Sequence, residues 1–135
     1  MTTSQARLLF AIAALWNIAA AAVALLAPDF HRGMFFVYAT DPIATIALVN
    51  TQAFWVTVLF FGIGYGIVAR DPERNHALVL IAALGKIYVF FAWSWHWHAG
   101  EMTRFALFGA VGDLVFAALF LWFLRTTRRP ESLAG

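Results

Sequence analysis

Residues 77–97 read ALVLIAALGKIYVFFAWSWHW, an apolar run with a single Lys or Arg, Lys86, near its middle. A helix of about 20 apolar residues is long enough to cross the hydrocarbon core of a bilayer. The next run, residues 104–125, reads RFALFGAVGDLVFAALFLWFLR and carries Asp113 as its only charge between two terminal arginines. Lys86 lies nine residues after Ala77 and Asp113 nine after Arg104, a rise of roughly 14 Å in each case. In a core about 30 Å thick both residues fall near the midplane. The turn between the runs is short, which predicts antiparallel neighbours and a Lys86–Asp113 pair. A lone charge at that depth costs about 2.5–3.5 kcal/mol, so a partner is expected.

Working outward, four such runs occur, at about 7–27, 44–69, 74–97 and 102–125. Of the 135 residues 63% are apolar and only 12% charged, where soluble domains average about 25% charged. The whole chain reads as one transmembrane domain, an all-α integral membrane four-helix bundle. The connecting segments are too short to bury a soluble core of their own. Lys and Arg exceed Asp and Glu by nine to seven; this small excess sits at helix ends, where membrane orientation accounts for it without nucleic acid. There is no cysteine, so disulfide chemistry, cysteine zinc sites and iron–sulfur clusters are excluded. The first run is longer than the apolar region of a signal peptide, and Pro28 directly follows the candidate cleavage site.

Thr40-Asp41-Pro42 and Asp71-Pro72-Glu73 both look like helix starts, with Asp at the cap and Pro at the first helical position. Arg7, Arg70, Arg74, Arg125, Arg128 and Arg129 fall on one side of the membrane, Arg32 and Arg104 on the other. The positive-inside rule then predicts cytoplasmic N- and C-termini in a bacterial inner membrane. The tail from Arg125 to Gly135 reads as basic, short and frayed. On the periplasmic side Phe30, Phe35, Phe36, Tyr38, Trp93, Trp95 and Trp97 read as an interfacial belt, with residues 30–38 flat on the surface.

Small residues recur at helical spacing and predict close helix packing. They are Ala13, Asn17, Ala20, Ala21 and Ala24 in the first span and Gly62 and Gly66 in the second. Ala82, Ala83 and Gly85 flank Lys86, and Ala106, Gly109, Ala110 and Ala117 line up with Asp113. Asn50 and Gln52 read as hydrogen-bonders between helices.

Three readings of the intramembrane pair stand side by side. It fixes helix register; it sits in a proton or ion path; or it belongs to a ligand pocket in which Asn17 and Tyr65 add hydrogen bonds. His31, His96, His98 and Glu101, with Asp29, define a second possible site, for a metal at the periplasmic edge. Residues i and i+2 diverge on a helix, so His96 and His98 converge only if the helix has ended. The alternative for these histidines is simple hydration at the interface, and His76 reads as solvated. No nucleophile elbow, phosphate loop or HExxH motif is present.

The stretches Gly62-Ile-Gly-Tyr65-Gly, Ala69-Arg-Asp-Pro-Glu-Arg74, Gly85-Lys86 and Gly112-Asp113-Leu resemble uncharacterised small bacterial four-helix membrane proteins. In size and layout the chain is similar to the DoxX-like group. That resemblance implies an accessory role beside a membrane oxidoreductase and transfers no catalytic residue. The expectation is a multi-pass protein with an accessory or small-ligand or lipid-binding role and no catalysis of its own. Its surroundings are the lipid bilayer, with a second copy or a membrane protein as partner, and no nucleic acid. The alternatives are a small proton-coupled transporter using Lys86 and Asp113, and a periplasmic-edge metal, haem or quinone subunit. The sequence names no particular cofactor.

Overall fold

The computed structural model describes residues 1–38 and 44–127. The Thr40-Asp41-Pro42 start signal, Arg128, Arg129 and the rest of the tail lie outside the described residues. Among the described residues five α-helices follow one another: α1 Thr3–Leu26, α2 Pro28–Phe35, α3 Thr45–Arg70, α4 His76–His98 and α5 Arg104–Thr127. All but α2 are long and apolar enough to cross a membrane, and all four coincide with the runs read from the sequence.

Local chemistry sets the helix ends. Thr2 and Gln5 form a reciprocal capping box that starts α1 four residues earlier than hydropathy alone suggests. The Asp71-Pro72-Glu73 signal opens a single 3₁₀ turn, Pro72–Arg74, and α4 itself begins at His76. The correction is local, because a 3₁₀ turn uses the same Asp-Pro entry as an α-helix. α4 ends in a Schellman motif: Gly100 N–H donates to Trp97 O and Glu101 N–H to His96 O, each at 3.0 Å. Gly100 has φ +79°, a conformation glycine adopts without strain.

The long helices pack as two antiparallel pairs, α1 with α3 and α4 with α5, whose backbones approach closely within each pair and little between pairs. Gly62 permits the first approach: a Cβ there would lie 2.8 Å from Ile18 Cγ1 and 3.1 Å from its amide nitrogen. Gly66, the other half of the GxxxG motif, faces open space. Large side chains fill the seam between the pairs. At the end holding the N-terminus, Phe10, Tyr65, Val68, Val79, Phe120 and Phe123 form a dry core with Ala6, Ala13, Ala82 and Ala83.

At the opposite end the two connections are joined. Phe36 and Met102 form an antiparallel bridge, Val37 N–H donates to Glu101 O at 3.0 Å, and Thr103 N–H donates to Phe35 O at 2.9 Å. The Thr103 hydroxyl also donates to Met34 O. These bonds fix α2 across the end of the bundle as a lid. Residues 30–38 therefore do not simply lie flat: Phe30, Phe36 and Tyr38 are exposed, but His31 and Phe35 turn inward and are buried. Phe35 also packs edge-on against the half-buried Trp93, so both turn toward the bundle rather than standing wholly in an interfacial belt.

Candidate functional site

One half of the bundle is solid and the other is hollow. Between the lid and the dry core lies a cavity of about 420 Å³, walled by side chains from all five helices. That is within the 300–1,000 Å³ typical of small-molecule sites. Its wall is strongly aromatic, with Trp16, Phe54, Trp55, Trp93, Phe105 and Phe108 among the lining residues.

The floor is polar. Lys86 Nζ lies 2.5 Å from Asp113 Oδ1 and 3.1 Å from Asn17 Oδ1, while Asn17 Nδ2 donates to Val58 O at 3.4 Å. Helices α1, α4 and α5 thus meet at one ammonium group, and α3 joins them through Asn17. Lys86 is 5% exposed and Asp113 17% exposed, so the lysine is enclosed and the carboxylate keeps partial access. The rings of Phe116 and Tyr65 flank the ammonium, their centroids 5.2 and 5.8 Å from Nζ. A cation over such ring faces is stabilised electrostatically. All four residues expected of a ligand pocket, Asn17, Tyr65, Lys86 and Asp113, line this cavity.

His31 belongs to the lid itself and is among the residues that line the cavity. It stacks on Phe35, with ring centroids 4.3 Å apart, and meets Trp55 edge-on at 4.6 Å. Its Nε2 is buried without a hydrogen-bond partner among the described residues. Burial pushes its pKa below the ordinary histidine value, which favours the neutral ring. Buried polar atoms without partners are uncommon in folded proteins.

The proposed periplasmic metal set is not assembled. His31 is interior, whereas His96 and Glu101 pair on the surface at 2.5 Å across the turn that ends α4. Asp29 is exposed and faces Arg32 at 3.9 Å. α4 runs on through His98, so His96 and His98 diverge as helical geometry requires. Among the described residues no three metal-ligating side chains come together. His76 also departs from expectation: it is not merely solvated, because Nε2 lies 3.0 Å from Thr127 Oγ1 and the ring packs on Phe123. Asn50 and Gln52 are exposed and bond to no other helix among the described residues. They lie outside the α1 contact because that face of α3 is turned outward.

Two contributors are less visible in the sequence. Trp16 and Trp55 are not singled out by any motif in the sequence, yet both line the cavity. Gly112 makes room for the first: a Cβ there would lie 2.7 Å from Trp16 Cζ2. The adjacency of Gly112 and Asp113 was the available signal, a small residue beside an intramembrane charge.

No protein-family model, curated protein or solved structure matches the chain.

Proposed function

We propose that this is a multi-pass protein of the bacterial inner membrane that binds a small apolar molecule or lipid, in an accessory role and without catalysis of its own. The observation that carries the reading is the 420 Å³ aromatic cavity with a polar cluster at its floor. A bundle needing only a register device has no need of a hollow half. In this reading the end holding the N-terminus, with Arg7, Arg70, Arg74 and Arg125, faces the cytoplasm, and the lid faces the periplasm. The exposed apolar side chains of the four spans, such as Leu15, Ile46, Leu84 and Val115, then meet lipid. The partner in this reading is a second copy of the chain or another membrane protein, a membrane oxidoreductase being the one that the DoxX-like resemblance implies.

The transport alternative uses the same Lys86–Asp113 pair. Transporter sites are commonly built on discontinuous helices, whereas α4 and α5 run unbroken past both residues. That favours a retained ligand over alternating access.

The test is native mass spectrometry of the protein released from lipid nanodiscs, beside the Gly85→Leu variant. Gly85 lines the open side of the cavity and nothing stands within 4 Å of a Cβ there, so leucine adds bulk at the opening without a backbone clash. A discrete adduct on the native chain that is lost in Gly85→Leu supports binding. A bare native chain, or an adduct indifferent to Gly85→Leu, overturns it.

A further inference from the structure

The polar floor of the cavity presents an acceptor. Lys86 directs two of its three hydrogens to Asp113 and Asn17, and the rings of Phe116 and Tyr65 flank the ammonium. At 5% exposure it has little surface to offer an occupant. Asp113 differs. Its Oδ1 holds the lysine, whereas Oδ2 has no hydrogen-bond partner among the described residues and is not sealed in as His31 Nε2 is. On the α1–α5 side Trp16 lies against Gly112 and packs on Phe108 and Phe116, which covers Asp113 from that direction. The open carboxylate oxygen is therefore presented to the cavity that Asp113 lines.

The seam between α3 and α4 is closed at its two ends and open between them. Toward the lid Phe54 and Trp55 pack on Trp93, with ring centroids 6.4 and 6.3 Å apart. Toward the dry core Gly64 faces Leu78, whose Cδ2 would lie 3.5 Å from a Cβ there. Between these closures Thr57, Gly85 and Tyr88 line the cavity and are also exposed, Tyr88 by 72%. Gly85 adjoins Lys86, and Thr57 adjoins Val58, whose carbonyl accepts from Asn17, so the opening stands at the level of the floor. In the membrane reading above that level is hydrocarbon. An occupant then enters sideways from the bilayer and can leave its chain there.

An acceptor reached through hydrocarbon selects its head group. A carboxylate or phosphate would be repelled by Asp113 and would have to shed its water. A cation on Oδ2 would crowd the Lys86 ammonium, which stands 2.5 Å from the other oxygen of the same carboxylate. An ether has nothing to donate, and an amide brings a carbonyl that needs a partner of its own. A hydroxyl donates one hydrogen and carries no charge.

We infer that the cavity binds an uncharged long-chain alcohol, its hydroxyl donating to Asp113 Oδ2 and its chain passing between α3 and α4 beside Gly85. No reaction of the alcohol is assigned to this chain. The inference rests on the cavity-binding reading above and adds the head group and the route of entry.

The experiment is a thermal-shift titration of the protein in nanodiscs with dodecan-1-ol, dodecyl methyl ether, dodecanoate and dodecylammonium. It is run on the native chain and on Gly85→Leu, Asp113→Asn and Lys86→Met/Asp113→Leu. Expected is a saturable rise in melting temperature with dodecanol, at an affinity at least about tenfold above the ether, equivalent to about 1.4 kcal/mol. Gly85→Leu weakens alcohol and ether alike. Asp113→Asn and the double variant each remove the preference for alcohol over ether, because neither keeps a carboxylate oxygen to accept. Equal shifts from alcohol and ether on the native chain, reduced in Gly85→Leu, overturn the alcohol and leave cavity binding intact. A preference for dodecanoate or dodecylammonium overturns it in favour of a charged head. An alcohol preference that survives in both Asp113 variants overturns the role of Asp113. Shifts indifferent to Gly85→Leu, or none from any compound, overturn both this inference and cavity binding. Apo melting curves show whether each variant folds, and the alcohol–ether comparison on the native chain decides the head group without any variant.

Discussion

Asn17 and Lys86 meet across the seam between the two helix pairs, Oδ1 to Nζ at 3.1 Å. The other end of the same amide donates to the Val58 carbonyl on α3. One side chain on α1 therefore both receives the ammonium from α4 and holds its own neighbour in place. Replacing Asn17 with Leu removes both bonds and leaves the ammonium less satisfied. The expected cost is about 1–3 kcal/mol, read as a lower melting temperature in detergent. An unchanged melting temperature would show that the amide contributes nothing net.

Lys86 and Asp113 predict a non-additive pair. Lys86→Met strands a carboxylate between helices and is expected to cost about 3–5 kcal/mol. Lys86→Met/Asp113→Leu removes both charges and recovers most of that loss. The double-mutant cycle measures the coupling directly. Equal destabilisation in the single and double variants would show that packing, not charge pairing, accounts for the loss.

The two glycines of the α3 motif separate cleanly. Gly62→Ala pushes a methyl group against Ile18 and is expected to destabilise by about 1–3 kcal/mol. Gly66→Ala meets open space and gains helix propensity, up to about 1 kcal/mol. Should the two alanines prove equivalent in chemical or thermal melts, the α1–α3 contact is not where the structure places it.

His31 gives the fold a pH dependence of known sign. Its folded pKa is lowered by burial, while the unfolded chain takes up a proton near the ordinary value of about 6.5. Below about pH 6.5 the unfolded state binds a proton that the folded state resists, so stability falls with pH. Above it both states are neutral and the effect vanishes. His31→Phe should melt at a temperature less dependent on pH than the native chain between about pH 7.5 and about pH 5. His76, His96 and His98 are common to both proteins, and their contributions cancel in the comparison. Parallel pH profiles would refute the assignment.

The spans were legible because the bilayer imposes one length and one composition on every helix that crosses it. Lys86 and Asp113 were legible as a pair because adjacent antiparallel helices with a short turn leave little freedom in relative depth. Asn17 and Tyr65 could be placed beside them for a related reason, as polar groups on otherwise apolar faces. The hollow was not legible. Whether Trp16, Trp55 and Trp93 face lipid or interior depends on rotation of each helix, and an all-round apolar sequence has no polar face to report that rotation. α2 was misread for the opposite reason. Its aromatic residues suit a membrane surface equally well, and only the bonds from Val37 and Thr103 to the facing turn draw it inward.

The division into two pairs bears on how such a chain enters a membrane. Lys86 and Asp113 both belong to the second hairpin, and their 2.5 Å contact needs no atom from the first. Two opposite charges can thus cross into hydrocarbon already neutralised by each other, during synthesis and before any tertiary assembly. Asn17, in the first hairpin, reaches Lys86 only where the two hairpins are docked. The cavity, by contrast, is walled by side chains of both hairpins and exists only where the two are docked.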